Sequence, residues 1–124
     1  MQRVVHFELP ADDPERIKHF YNSVFGWTIK KWDGVEDYWL VTTGTKKNAG
    51  INGGIMRRQL FRQSTINTID VASLEDAISK VKQAGGKVVV SKMTVPTVGY
   101  KAYCQDTEGN IFAIIQPDAN AHIA

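Results

Sequence analysis

The chain has 124 residues, of which 43% are hydrophobic and 23% charged, and its formal net charge is +2. This length suits one domain with its own core, and so small a charge does not indicate a nucleic-acid or membrane partner. The single cysteine, Cys104, excludes an internal disulfide and fits a reducing compartment. The N-terminus carries no leader-like or membrane-spanning apolar run, so we expect a cytoplasmic protein.

The first half of the chain is predicted to form a strand, a helix and three further strands. Residues 4–9 alternate between apolar and polar side chains, which is typical of a strand with one face on a core. Asp13 followed by Pro14 predicts the start of a helix, and Gly26 predicts its end. The three further strands are predicted over residues 27–32, 38–43 and 51–56.

The second half repeats this order. Ser73 is a good N-cap, with Asp76 three residues later as a variant of the capping box, and Gly85-Gly86 ends the helix. The run from Asp106 to Asn110 predicts a hairpin turn. Strands are predicted over residues 66–71, 87–92, 98–104 and 111–116, and the polar tail 118–124 is expected to be loosely held.

A single shift of 60 residues superimposes the two halves. Under this shift Asp13 falls on Ser73, Gly26 on Gly86, and Gly53 on Ala113. We therefore predict an α+β fold made of two related βαβββ modules, at residues 1–56 and 65–117. A connector at 57–64 joins them.

Two segments of the chain carry a resemblance to a known family, namely the run from His6 to Arg16, followed by Phe25-Gly26-Trp27, and the run from Asp106 to Phe112. The first is similar to the opening of a protein of the vicinal oxygen chelate (glyoxalase/bleomycin-resistance/dioxygenase) superfamily. The second is similar to that superfamily's Asp-Pro-Asp-Gly-Asn turn before the last strand, with Thr107 where proline is common. The resemblance is greatest to short glyoxalase-related proteins of unestablished substrate. It implies two modules with pseudo-twofold symmetry, strands curling around an open cavity, and a homodimer.

The resemblance also implies a divalent metal on four inward side chains, two from each half. Carried over, these positions fall on His6, Gly53, Ile66 and Ala113, and only His6 has a ligand atom in its side chain. Glu8 shares the strand face of His6 and would bring the number of ligands to two. A catalytic metal usually has about three protein ligands, so we expect no catalytic metal and no cofactor.

Candidate ligand-binding residues combine polar and aromatic side chains. Polar contacts are assigned to His6, Glu8 and Thr68 on the strands that open the two halves. Aromatic rings near the third strand of each half are interpreted mainly as packing between sheets or at a dimer contact, while one or two of them are expected to stack on a flat ligand in the cavity. The ligand-binding aromatic residues are Trp39, Tyr100 and Tyr103.

Two other features are interpreted as structural. Cys104 lies in a predicted strand without a neighbouring base, which indicates a buried inert thiol. The basic residues Arg57, Arg58 and Arg62 are expected to be solvated charges of the connector, since no nucleic-acid-binding motif accompanies them.

Three functional hypotheses follow. The leading one is metal-independent binding of a small apolar or aromatic molecule by a homodimer. The second is a metal-dependent lyase or dioxygenase of the glyoxalase type that uses unusual ligands. The third is an interaction module without a ligand. Whether the protein is an enzyme stays open among them.

Overall fold

The computed structural model describes residues 2–34, 36–58 and 63–123 of the chain. Part of the predicted connector, including Arg62, lies outside these residues. Two helices and eight strands follow one another in the order β1 Val4–Ala11, α1 Pro14–Phe25, β2 Thr28–Lys31, β3 Tyr38–Thr42, β4 Gly53–Arg57, β5 Ile66–Asp70, α2 Leu74–Gln83, β6 Lys87–Val95, β7 Gly99–Gln105 and β8 Ile111–Pro117. The predicted α+β class and the βαβββ order of both halves are confirmed.

The chain divides into two units, which are described separately. The first unit is His6–Ile66, and the second is Asn67–Ala124 together with the first five residues. The N-terminal residues belong to the second unit because their backbone pairs with β5. Gln2 N donates to the Asp70 carbonyl at 2.8 Å, and Asp70 N donates to the Arg3 carbonyl at 3.1 Å.

In the first unit the strand order is β2-β3-β4-β1, with β1 and β4 parallel and the other pairs antiparallel. Helix α1 starts where predicted, since the Asp13 carboxylate accepts a hydrogen bond from Arg16 N at 3.2 Å. It ends at Gly26, whose φ of 72° lies in the left-handed region that glycine adopts without strain. The buried core beside α1 consists of Ala11, Ile29, Trp39, Val41 and Ile55.

In the second unit the strand order is β5-β8-β7-β6, with β5 and β8 parallel. The Ser73 hydroxyl caps α2 by accepting from Asp76 N at 3.2 Å, as predicted. The helix covers a core made of Val71, Leu74, Ala102, Cys104 and Ile114. Of the helices described, neither is long or apolar enough to cross a bilayer.

The two halves match under a shift that is not constant along the chain. The shift of 60 holds for the helix caps, Asp13 and Ser73. In the parallel pairs, however, Phe7 lies opposite Gly53, whereas Asn67 lies opposite Phe112. The spacing between the two paired strands is therefore one residue shorter in the second half than in the first. Ala113 corresponds in register to Gly54 and not to Gly53, which corrects the superposition drawn from the sequence.

Strand β1 and the C-terminal tail are better anchored than predicted. Strand β1 extends past Leu9 because its pairing with β4 continues through Pro10 and Ala11. In the tail, Asp118 N donates to the Val98 carbonyl at 2.9 Å, and the Ala121 carbonyl accepts from Thr97 N at 3.0 Å. Ala121 is buried. The expectation of a loosely held tail is wrong up to this residue.

The turn between β7 and β8 is organised by one carboxylate. Asp106 accepts hydrogen bonds from Glu108 N and Asn110 N, both at 2.9 Å, and from the Asn110 side-chain amide at 3.1 Å. These bonds, those from Asn110 foremost, hold the pKa of Asp106 below its usual value of 3.8. The hairpin turn predicted from the run at 106–110 is confirmed.

The Asp106 turn is expected to contribute to the acid sensitivity of the fold. Because the folded-state pKa is lowered, the stabilisation is fully present above pH 3.8 and is lost as the pH falls through the lower folded value. In Asp106→Ala, the free energy of unfolding should therefore depend less steeply on pH below about pH 4. Urea denaturation between about pH 2 and 6 measures this slope, with the exposed Asp33→Ala as control. Equal slopes in wild type and Asp106→Ala would contradict the assignment.

Candidate functional site

In the first unit, strand alternation separates a helix-facing side from an opposite side. Phe7, Trp39 and Ile55 pack toward α1, so the residues next to them in sequence point the other way. We call this opposite side the site face; it consists of His6, Glu8, Tyr38, Leu40 and Gly54. Its members are brought together by the register, because Gly54 lies opposite both Glu8 of β1 and Leu40 of β3.

A hydrogen-bonded row crosses the site face. The Tyr38 hydroxyl donates to Glu8 Oε2 at 2.9 Å, and His6 Nε2 lies 2.8 Å from the same hydroxyl. Glu8 is 1% exposed. Because the Tyr38 hydroxyl donates its single proton to Glu8, its oxygen accepts a hydrogen bond from His6 Nε2–H. The row therefore places a proton on the Nε2 atom of His6.

The row exists because position 54 has no side chain. A Cβ added to Gly54 would fall on the Tyr38 hydroxyl and the ring carbons beside it. At Gly53 an added Cβ would lie 2.5 Å from the Phe7 carbonyl oxygen. Gly54 thus makes room for the tyrosine, and Gly53 makes room for strand β1.

The site face combines hydrogen-bonding groups with exposed apolar surface. Leu40 is 47% exposed beside the His6–Tyr38–Glu8 row, and Met56, opposite Tyr38, is half-buried. Small-molecule sites have this composition, with apolar walls and a few fixed polar groups that orient the ligand. The imidazole, phenol and carboxylate groups of this row are also side-chain types that act as general acids and bases in enzymes.

The second unit has a corresponding face on the side away from α2. Thr68 lies opposite Ala113, which in turn lies opposite Tyr103, and Lys101 shares the strand face of Tyr103. We call Thr68, Lys101, Tyr103 and Ala113 the second face. The Lys101 ammonium lies 5.0 Å from the centroid of the Tyr103 ring, and all four side chains are buried. The Thr68 hydroxyl has no hydrogen-bond partner among the described residues.

Two predicted ligand-binding aromatics are not on these faces. Trp39 is 2% exposed in the core beside α1, and its indole N–H donates to Glu15 of that helix at 3.0 Å. Tyr100 packs against the core beneath α2. The reason is strand geometry: side chains an odd number of residues apart point to opposite faces, so Tyr100 is separated from Tyr103 and Trp39 from Tyr38. The assignment of Trp39 and Tyr100 to a shared ligand face is corrected.

The donors on the site face do not fit a catalytic divalent metal. The described residues contain no group of three or more His, Cys, Asp or Glu side chains placed to hold a metal. The point on which His6 and Glu8 converge is occupied by the Tyr38 hydroxyl, at 2.8 and 2.9 Å. Position 54 opposite Glu8 is a glycine, and Ile66 and Ala113 have no ligand atoms.

The cysteine and the arginines considered in the sequence analysis are held by burial and by ion pairs. Cys104 is fully buried, and burial raises the pKa of its thiol, as expected for an inert residue. Arg57 bonds to Asp37 at 2.9 Å and Arg58 to Asp12 at 2.9 Å. Arg57, followed by Lys31, holds the pKa of Asp37 below its ordinary value.

Two residues of these faces that carry polar side-chain groups, Tyr38 and Lys101, were absent from the sequence-based set of ligand contacts. Alternation contained a usable signal for both. Trp39 and Val41 are the apolar members of β3, which places Tyr38 on the other side, and Lys101 alternates with Ala102 next to Tyr103. The hydrogen bond from Tyr38 to Glu8 had no such signal, because it depends on the register of three strands.

Comparisons with known proteins agree with the resemblance found in the sequence. Residues 3–44 match the family model described as bleomycin resistance protein-like N-terminal. No curated protein matches the sequence significantly. A hypothetical protein from Bacillus halodurans C-125 has a TM-score of 0.71 at 11% identity, covering 98% of this chain and 99% of its own.

Two further solved structures have the same architecture. A glyoxalase/bleomycin resistance protein/dioxygenase superfamily member from Vibrio splendidus 12B01 has a TM-score of 0.66 at 17% identity, covering 95% of this chain and all of its own. A variant of methylmalonyl-CoA epimerase from Streptomyces coelicolor, in complex with 2-nitronate-propionyl-CoA, has a TM-score of 0.70 at 9% identity and 99% coverage of both chains. Identities this low show a shared fold and not a shared activity. The chain therefore has the glyoxalase/bleomycin-resistance fold, and its residues 3–44 are similar to the bleomycin resistance protein-like N-terminal family.

Proposed function

We propose that the protein binds a small apolar or aromatic molecule without a catalytic metal, and that the site face of the first unit contributes to binding. The observation that carries this proposal is the His6–Tyr38–Glu8 row beside exposed Leu40. The buried carboxylate orients the tyrosine, and the tyrosine orients the imidazole, so a polar group of fixed direction stands next to apolar surface. A homodimer without nucleic-acid or membrane partners is part of the proposal.

The metal-dependent alternative has less support. A lyase or dioxygenase that polarises substrate oxygens needs a metal with several protein ligands and an open position. The site face offers His6 and Glu8, which are already joined through Tyr38. The Streptomyces neighbour is a methylmalonyl-CoA epimerase, and the shared fold alone does not extend that activity to this chain.

The test is ligand binding in the presence of a chelator. Protein purified without a nickel column is titrated with metal-free bleomycin and with 2-naphthol in EDTA, with thermal shift and calorimetry as readouts. We expect saturable binding of at least one probe and no stoichiometric divalent metal in the purified protein. His6→Ala should weaken binding about tenfold while changing the free energy of unfolding by less than about 1 kcal/mol.

A matched histidine provides the control. His19 is exposed on α1, away from the site face, and His19→Ala should leave binding unchanged. Binding that disappears in EDTA and returns with zinc, nickel or iron would favour the metal-dependent alternative. No binding of either probe would favour the interaction module without a ligand.

A further inference from the structure

We propose that the outer edge of β2 binds an extended acidic peptide segment, which adds a strand to the sheet of the first unit and lies in a cleft beside α1. The cleft has a volume of about 530 Å³ and is formed within the first unit alone. It lies on the helix side of the sheet, so this interaction is separate from ligand binding on the site face. The lining residues are Glu15, Lys18, His19 and Asn22 of α1 and Thr28, Ile29 and Lys30 of β2.

The backbone of β2 offers hydrogen-bonding groups along its outer edge. Strand β2 stands at the end of the strand order, and among the described strands it pairs only with β3. Trp32 N donates to the Tyr38 carbonyl at 2.7 Å, and in antiparallel pairs every second residue directs its backbone groups to the partner strand. The N–H and C=O groups of Ile29 and Lys31 therefore point outward. An edge of this kind is where an added strand binds.

The cleft gives an added strand a second wall. Ile29 is buried beside α1, and side chains alternate along β2, so this strand meets the cleft mainly with its backbone edge. Opposite this edge stands a polar stripe of α1 that begins at Glu15 and includes Lys18 and His19 at helical spacing. An extended segment can therefore bond to β2 along its backbone while one set of its side chains contacts α1.

The charges around the cleft select an acidic partner. Glu15 is the one acidic residue of the lining, and it is already bonded by the Trp39 indole at 3.0 Å and by Lys18 at 3.8 Å. Lys30 on the opposite wall is exposed and has no ion pair among the described residues. Opposite charges across a strand pair stabilise the pairing, and like charges weaken it. A carboxylate side chain opposite Lys30 is therefore favoured.

The same features disfavour other occupants. A second copy that paired through β2 would bring its own Lys30 and Lys31 to the edge, and lysines on an edge strand oppose such self-pairing. A small anion could accept from the outward N–H groups but would leave the outward C=O groups without donors. An extended backbone supplies donors and acceptors together, at the two-residue repeat of the edge.

The experiment titrates the isotope-labelled full-length protein with three capped peptides and records backbone amide shifts by NMR. The first peptide is acetyl-Val-Glu-Val-Glu-Val-Glu-amide, and the second has lysine in place of glutamate. The third is the acidic peptide with every backbone nitrogen methylated. We expect the acidic peptide to bind about tenfold more tightly than the basic one, with its largest shifts at Ile29 and Lys31. The methylated peptide cannot donate backbone hydrogen bonds and should not bind.

Two substitutions of one residue separate the backbone from the side chain. Lys31→Pro removes an outward N–H and should weaken binding of the acidic peptide about tenfold. Lys31→Ala keeps this donor and should weaken binding less than about twofold. Both variants lose the same exposed ion pair with Asp37, so they are matched in charge. Lys30→Gln should weaken binding about threefold, through charge alone.

The methylated peptide keeps the test decisive if Lys31→Pro does not fold, because it removes backbone hydrogen bonds from the side of the ligand. The proposal is overturned if the acidic peptide does not bind at millimolar concentration, or if it binds no more tightly than the basic or the methylated peptide. Equal binding by Lys31→Pro and Lys31→Ala overturns it as well. Dimerisation that Lys31→Pro abolishes in the absence of peptide would assign the edge to a second copy instead. Binding at the site face is tested separately, by His6→Ala.

Discussion

Trp39→Ala is expected to lower the free energy of unfolding by about 4 kcal/mol, the largest effect of any single substitution considered for this chain. The indole fills the core between β3 and α1 at 2% exposure, next to Val41 and Ile55. Its removal leaves a cavity that the paired strands cannot close. The indole N–H bond to Glu15 is lost as well, but Glu15 is exposed and regains water, so this adds little. Urea denaturation measures the change.

Leu40→Ala is the control for Trp39→Ala. Leu40 follows Trp39 on the same strand but lies on the site face at 47% exposure, so Leu40→Ala should change stability by less than about 1 kcal/mol. Under the proposed function it should weaken ligand binding instead. If Trp39→Ala remained as stable as wild type and lost binding, the ligand would have to lie on the helix-facing side.

Gly53→Ala is expected to destabilise the fold by about 3 kcal/mol. The added methyl would stand 2.5 Å from the Phe7 carbonyl oxygen and 2.7 Å from the Phe7 ring. That carbonyl belongs to the backbone of β1, which is paired with β4 at this position, so the clash is relieved only by moving a strand. The measurement is again the denaturation midpoint in urea.

Gly54→Ala places the added methyl group one position further along β4, where it meets a side chain and not the backbone. Its methyl would meet the end of the Tyr38 side chain, which can swing away, so the expected loss of stability is about 1 kcal/mol. The displaced tyrosine would no longer connect His6 with Glu8, and ligand binding should weaken as much as in His6→Ala. Equal losses of stability for the two alanine variants would show that the glycines do not have these separate roles.

The helix ends and the order of the elements could be predicted from the sequence because the interactions that set them are local. Asp13 and Ser73 each bond to a backbone N–H three residues ahead, and Gly26 adopts its left-handed conformation without strain because it has no Cβ. The alternating pattern of β1 likewise separates Phe7 from His6 and Glu8 without reference to other strands. The α+β class and the two βαβββ halves followed from these signals.

The candidate sites needed the tertiary structure because their contacts join residues far apart in sequence. Tyr38 reaches Glu8 across 30 positions, and whether it does so depends on the register of β3, β4 and β1 and on the missing side chain at Gly54. The one-residue difference between the halves, which moves the counterpart of Ala113 from Gly53 to Gly54, is likewise set by strand pairing. Local sequence thus determined where strands and helices begin and which side chains alternate. The pairing of distant strands decided which of those side chains meet, because a shift of one residue turns a strand's side chains to the other face.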